Sequence, residues 1–226
     1  MPAAGAGRRL GGGGKALVRL DGRAMLAHAV EAMEANRCTT AVVVVSHPDA
    51  LDATAKLLAD EGLAKVTALV AGGPTRQASV AAGLRALPPE PGYVVVHDAA
   101  RPLVAPGTID RMLELLLEAG LAGVVPGVPV TDTIRRVDAV QRSTGIVDRE
   151  QLRSMQTPQL FVREVLEAAY RLALRDGVEA ADEAALLELA GHPVQVVPGS
   201  HENLKVTTAL DLLVAEALLT RTRRPP

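Results

Sequence analysis

Two short runs, residues 41–46 (AVVVVS) and 93–97 (YVVVH), constrain the fold of this chain more than any other feature. Each is a string of mostly β-branched residues with no polar alternation, the pattern of a strand buried on both faces. Residues 66–71, 123–130 and 194–197 read the same way. Between them stand segments of helical period. Residues 24–35 bring Met25, Leu26, Ala29, Val30 and Met33 to one face. Residues 49–60, 76–87, 109–118, 163–175, 184–190 and 209–220 are further helices, and Gly62, Gly120 and Gly177 follow three of them as C-terminal caps. This alternation predicts an α/β fold: a Rossmann-like, mostly parallel sheet flanked by helices.

Composition says what fills the core. Of 226 residues 48% are hydrophobic but only 1% aromatic, so Val, Leu and Ala must make the interior. Such a core suits parallel strands under helices better than a sandwich anchored by aromatic rings. The length allows one sizeable domain, expected over residues 1–226. A formal net charge of −2 argues against a general binder of nucleic acid or of membrane surfaces, so any basic function is local. Cys38 is the only cysteine, which leaves no internal disulfide or thiolate cage, and it reads as a small apolar side chain. Arg8 and Arg9 lead into glycines rather than a hydrophobic stretch, and no run reaches the length of a membrane span; the chain is expected in the cytoplasm.

Residues 131–157 leave the strand–helix rhythm. They alternate apolar and polar side chains around Ser143-Thr144-Gly145 and predict a polar, two-stranded β-arm that turns there. A lone hairpin is marginal in water, so the arm is expected to dimerise the protein.

The opening stretch, MPAAGAGRRLGGGGK, is glycine-rich and carries three cations. It fits either a leader or a backbone wrapped around phosphates, whose N–H groups would offset the entropy lost by ordering glycine. It is not a P-loop: Gly14-Lys15 matches the end of G-x-x-x-x-G-K-[ST], but Arg9 takes the first place and Ala16 replaces the hydroxyl. The dinucleotide pattern G-x-G-x-x-G begins with Gly5 and Gly7 and fails at Leu10.

What remains, Ala3-Ala4-Gly5-Ala6-Gly7-Arg8-Arg9 closing on Lys15, resembles the signature of sugar-phosphate and polyol-phosphate nucleotidyltransferases. Gly72-Gly73-Pro74-Thr75-Arg76-Gln77-Ala78-Ser79-Val80 is similar to G-G-x-x-R-x-x-S-V, and His97-Asp98-Ala99-Ala100-Arg101-Pro102 to H-D-A-A-R-P. Asp132-Thr133, Val147-Asp148-Arg149, Gln156-Thr157-Pro158-Gln159 and Asn203-Leu204-Lys205-Val206-Thr207 follow in order. Together, from Ala3 to about Thr220, these motifs resemble the 2-C-methyl-D-erythritol 4-phosphate cytidylyltransferase family of the non-mevalonate isoprenoid pathway. The resemblance implies transfer of CMP from CTP to that polyol phosphate with release of pyrophosphate. A ribitol-5-phosphate cytidylyltransferase, or a catalytically impaired homologue, are the alternatives.

The chemistry so implied explains why no Ser/His/Asp or paired-carboxylate constellation is evident. A phosphate monoester, with a second pKa of about 6, is already a dianionic nucleophile near neutral pH. It needs positive charge around the α-phosphoryl group and the departing pyrophosphate. The resemblance implies Arg9, Lys15 and Lys205 as the catalytic cations, and Ala3, Ala4, Gly5, Gly7, Gly73, Arg76 and Ser79 as the CTP site. Arg76 supports either the loop or the phosphates. Asp98, at the carboxyl edge of a strand, is expected to hold Mg²⁺, the implied cofactor, while His97 beside it reads as structural. For the polyol phosphate the resemblance implies Arg101, Thr133, Arg149 and Thr157; Thr133 and Arg149 lie on the arm, so the neighbouring subunit of a homodimer would complete each site. Asp182 is expected to give support.

Three departures accompany the resemblance. Pro74 stands where the family often has an acid. Gly14-Lys15-Ala16 replaces proline, lysine and glutamine in a loop about one residue shorter. Only Met1 and Pro2 precede Ala3, where the family has a hydrophobic first strand at the centre of its sheet. The expectation is a vacant central position, with a working protein that begins upstream.

Overall fold

The computed structural model describes residues 1–5 and 17–223. A two-strand ribbon, β1 (Arg19–Leu20) and β2 (Arg23–Ala24), leads into α1 (Met25–Glu34). The first α/β half continues with β3 (Val42–Ser46), α2 (Leu51–Asp60), β4 (Val66–Ala71) and α3 (Arg76–Arg85). The second half holds β5 (Tyr93–Val96), α4 (Thr108–Ala119) and β6 (Gly123–Pro129). An excursion, β7 (Ile134–Val137), β8 (Ser143–Val147) and β9 (Arg153–Met155), precedes β10 (Gln159–Val162) and α5 (Arg163–Asp176). The chain closes with α6 (Glu183–Leu189), β11 (Gln195–Pro198) and α7 (Ala209–Arg223).

The larger sheet runs β11-β6-β10-β5, with β9 on the same strand β6. β11 is parallel to β6, whereas β10 lies antiparallel between β5 and β6. The sequence gives little sign of β10, because four residues between a proline and a helix are too few to display a period. Once formed, it buries both faces in alternation. Phe161 joins Val94, Val96 and Val125 beneath α5 and α6, while Leu160 joins Val124, Met112 and Leu116 beneath α4. Gly123 faces Phe161 and has no room for a side chain, since an added Cβ would come within 2.7 Å of the ring.

β3 and β4 form a separate parallel pair. Val42 and Val44 pack with Leu26, Val30, Leu58 and Ile109 in a second core. Between β3 and the segment after β5 lie residues 1–3. The Met1 amino group donates to Val43 O (2.6 Å), Val45 N–H to Met1 O (3.0 Å) and Ala3 N–H to Val45 O (2.7 Å), with Pro2 bridged parallel to Val45. On the other side Ala99 N–H donates to Pro2 O (3.2 Å). Beside these residues, between Val42 and Val43 of β3 and Val94 and Val95 of β5, lies a cavity of about 260 Å³, roofed and floored by Leu84 and Ile109 among others. The expected vacancy is therefore a partial one: residues 1–3 are in hydrogen-bond register, and the rest of the position is open. Helices join what the backbone leaves apart. α3 touches β3 and β4 and also sends Val80 and Leu84 into the core of the larger sheet.

β7 and β8 form an exposed antiparallel hairpin, but the turn is not where the sequence placed it. Asp138 Oδ1 accepts from Val140 N–H (3.0 Å) and Arg142 N–H (2.8 Å), and Gln141 adopts φ 65°, so residues 138–142 turn. A short carboxylate that bonds the backbone ahead of it competes well for this role. Ser143, Thr144 and Gly145 belong to β8. Residues 153–155 also leave the hairpin, because β9 pairs with β6, Met155 opposite Gly127.

Candidate active site

A cleft of about 660 Å³ opens above the carboxyl ends of β3, β4 and β5, where open α/β sheets present their ligand sites. Its lining includes Ala3, Ala4, Gly5, Gly73, Arg76, Ser79, Asp98 and Lys205, residues from four separated motifs of the sequence. Gly7, Arg9 and Lys15 lie outside the described residues.

One wall of the cleft is backbone held close. A Cβ at Gly72 would stand 2.6 Å from the Ala4 Cβ and 2.9 Å from Ser79 Oγ; one at Gly73 would stand 2.6 Å from the Ala78 Cβ. Only glycine lets the β4–α3 turn lie against both residues 3–5 and its own helix. Ser79 shapes this turn: its hydroxyl accepts from Gly73 N–H (3.1 Å) and donates to Thr75 O (2.9 Å). Thr75 caps α3 by accepting from Ala78 N–H (3.1 Å), so the helix start is fixed at the edge of the cleft.

The opposite wall carries charge. Asp98 follows β5, with its side chain 11% exposed. Its Oδ2 pairs with Lys205 Nζ at 2.5 Å and its Oδ1 faces the Arg76 guanidinium at 3.4 Å. Burial opposes the charged carboxylate, but the Lys205 ammonium and then Arg76 outweigh it and hold Asp98 at about 2. Arg76 in turn forks onto Glu183, Nη1 to Oε1 and Nη2 to Oε2, both 2.9 Å. Burial disfavours that cation, yet Glu183 and Asp98 push its affinity for the proton above the ordinary value. Glu183 is 1% exposed and also accepts from the Tyr170 hydroxyl at 2.9 Å.

Behind Asp98 runs a buried chain of neutral groups. Asp98 N–H donates to Thr157 Oγ1 (3.0 Å), which lies 3.0 Å from His97 Nδ1, and His97 Nε2 lies 2.9 Å from Arg101 O. Burial pushes His97 down to about 4, which keeps the ring neutral. These bonds are mutually consistent if Thr157 donates to Nδ1 and Nε2–H donates to the carbonyl. His97 is thus structural, and Thr157 fixes the backbone of Asp98.

The remaining expected residues lie away from the cleft. Arg101 donates to Asn203 O (2.7 Å) and Met155 O (3.2 Å), and its Nε is buried without an acceptor among the described residues. Burial lowers its proton affinity. Thr133 and Arg149 are exposed at the foot of the hairpin, where Arg149 donates to Thr131 O, and neither lines the cleft of its own chain. Asp182 caps α6 by accepting from Ala185 N–H (3.0 Å) and binds Gln159 Nε2 (2.9 Å), so the residue that supports Arg76 is its neighbour Glu183. Glu183 opens α6 directly after the capping Asp182, so no local signal in the sequence sets it apart; its burial is what demands a partner. Cys38 is half-buried, and burial with Asp110 nearby pushes its thiol up to about 12.

Among the described residues no cluster of three or more His, Cys, Asp or Glu side chains is placed to hold a metal ion. Asp98 is, among the described residues, the one carboxylate lining the cleft. A single carboxylate fits Mg²⁺, which draws its other ligands from phosphate oxygens and water.

The sequence profile described as 2-C-methyl-D-erythritol 4-phosphate cytidylyltransferase matches residues 1–221. A relative of that name from Frankia casuarinae is 44% identical over 222 residues, covering 98% of this chain and 80% of the relative. Another from Streptomyces coelicolor is 45% identical over 232 residues, covering 99% and 84%. Among solved structures, 2-C-methyl-D-erythritol 4-phosphate cytidylyltransferase from Thermus thermophilus superposes with a TM-score of 0.77 at 36% identity, covering 96% of each chain. The 4-diphosphocytidyl-2C-methyl-D-erythritol synthase of Anaerococcus prevotii reaches 0.83 at 26% identity, covering 97% of this chain and 94% of that one.

Proposed function

The chain belongs to the 2-C-methyl-D-erythritol 4-phosphate cytidylyltransferase family, and on that premise we propose that its cleft transfers CMP from CTP to 2-C-methyl-D-erythritol 4-phosphate. The observation that carries the reading is the joining, in one cleft, of a close-packed glycine and alanine wall with Asp98, Lys205 and Arg76. The small residues leave room for a base edge read by backbone groups. The charged side suits the triphosphate.

In the reaction a phosphate oxygen of the polyol bonds to the α-phosphorus of CTP, and the bond from that phosphorus to the β-phosphate oxygen breaks. Pyrophosphate leaves with the electron pair. Lys205, whose side chain is 43% exposed, can turn from Asp98 to a phosphate oxygen as charge builds there. Asp98, relieved of Lys205, would hold Mg²⁺, which supplies electrostatic stabilisation to the triphosphate. Arg9 and Lys15 would add cations to the pyrophosphate side, with Gly5 and Gly7 presenting backbone N–H groups. Arg101 and Thr157 would sit beneath the second substrate, and Thr133 and Arg149 would reach it from the hairpin of a second subunit. The working unit in this reading is a homodimer in the cytoplasm.

The test is pyrophosphate release from CTP with 2-C-methyl-D-erythritol 4-phosphate or ribitol 5-phosphate, each with and without Mg²⁺. The expected result is release that requires Mg²⁺ and prefers the methylerythritol substrate. Release with ribitol phosphate alone, or none with either, overturns the proposal.

A further inference from the structure

Arg76 lies between two carboxylates that make unequal claims on it. Both oxygens of Glu183 accept from it at 2.9 Å in a bidentate fork. Asp98 Oδ1 faces its Nε and Nη2 only at 3.4 Å. The fork geometry is the stronger one, and it is favoured further because Glu183 is almost wholly buried and has a neutral partner in Tyr170. Burial and the charge of Glu183 raise the pKa of Tyr170, which keeps that hydroxyl a donor. The four charges, Glu183 and Asp98 against Arg76 and Lys205, sum to zero, so each carboxylate has one cation of its own.

This apportionment matters for Asp98. If the guanidinium were free to rotate, the nearest carboxylate offering two oxygens would be Asp98, 22 residues away in sequence and already within 3.4 Å. A fork there would occupy both Asp98 oxygens and turn a ligand of the cleft into a closed ion pair. Resting on the reading above, we propose that Glu183, oriented by Tyr170, is a positioning residue that restrains Arg76, so that Lys205 alone has to turn away before Asp98 takes a divalent cation bound with the triphosphate. Glu183 touches no reacting atom in this account. It acts through Arg76.

The test uses the full chain and Mn²⁺ as a spectroscopic probe, with CTP present and no polyol phosphate, so that binding is read without turnover. Glu183→Gln keeps size but loses charge; its Mn²⁺ affinity with CTP is expected to fall about tenfold or more, the usual scale for a group that orients a metal ligand. In an Arg76→Met background, which removes the competitor whatever Arg76 itself gives to CTP, Glu183→Gln should cause no further fall. Tyr170→Phe should give a smaller fall in the same direction, and serves if Glu183→Gln does not fold. Wild-type Mn²⁺ affinity in a folded Glu183→Gln protein, or an equal fall when Glu183→Gln is added to Arg76→Met, overturns the inference; if Glu183→Gln does not fold, an unchanged affinity in Tyr170→Phe does so. If wild type itself binds no CTP, it is the proposed function that fails instead.

Discussion

β3 (VVVVS) and β10 (QLFV) are buried to a similar degree, yet their backbones are treated differently. β10 is hydrogen-bonded along both edges, to β5 and to β6. Among the described residues β3 has β4 along one edge and, along the other, only the short segment of residues 1–3. The two halves of the protein meet at this seam through side chains, chiefly from α3 and α4, more than through a continuous ladder. The cleft straddles the seam. Its glycine wall follows β4, while Asp98 follows β5, so the parts that would read the base and those that would meet the phosphates stand on units with different support.

The largest effect should come from breaking the well-paired half. Phe161 is fully buried against Gly123, and Phe161→Ala is expected to destabilise the protein by about 3–5 kcal/mol in urea unfolding. Next, the weaker seam should appear in hydrogen exchange. Amides of β3 are expected to exchange roughly 100-fold faster than those of β10, because opening the seam needs less than global unfolding. Equal protection would show that the side-chain layers alone make the halves one unit. Third comes Asp98, held first by Lys205 and then, across the seam, by Arg76. Asp98 sits at about 2 rather than its ordinary 3.8. Its folded-state value is depressed, so its stabilisation is present above the ordinary value and is lost as pH falls through about 2. About 2 kcal/mol should disappear over that window, and Asp98→Asn should lack this part of the acid dependence. The smallest effect is a gain. Val43→Ile adds one methylene beside the 260 Å³ cavity and should raise stability by at most about 0.8 kcal/mol. A loss would mean that this part of the cavity cannot accept it without strain.

The contrast also explains what could be read from the sequence. AVVVVS and YVVVH declare buried strands by themselves, because burial on both faces leaves no polar position. Asp98 and Lys205, expected in the site from motifs far apart in the chain, line one cleft. The turn of the hairpin was misplaced because Ser-Thr-Gly and the residues around Asp138 are both turn-formers, and only the Asp138 hydrogen bonds decide between them. Glu183 was passed over for Asp182 because its partner Arg76 is 107 residues away, and nothing local tells a capping acid from a buried one. Arg101 shows the same limit. A cation in a recognisable motif can spend its donors on carbonyls, and sequence does not record where they point.

That arginine has a mechanical consequence. Through one guanidinium it grips Met155 O in β9, at the root of the hairpin, and Asn203 O, two positions before Lys205. The hairpin foot and the segment bearing the cleft lysine are therefore riveted together, a tie that Gln156 and Asn203 reinforce with hydrogen bonds of their own. A pull on one is felt at the other.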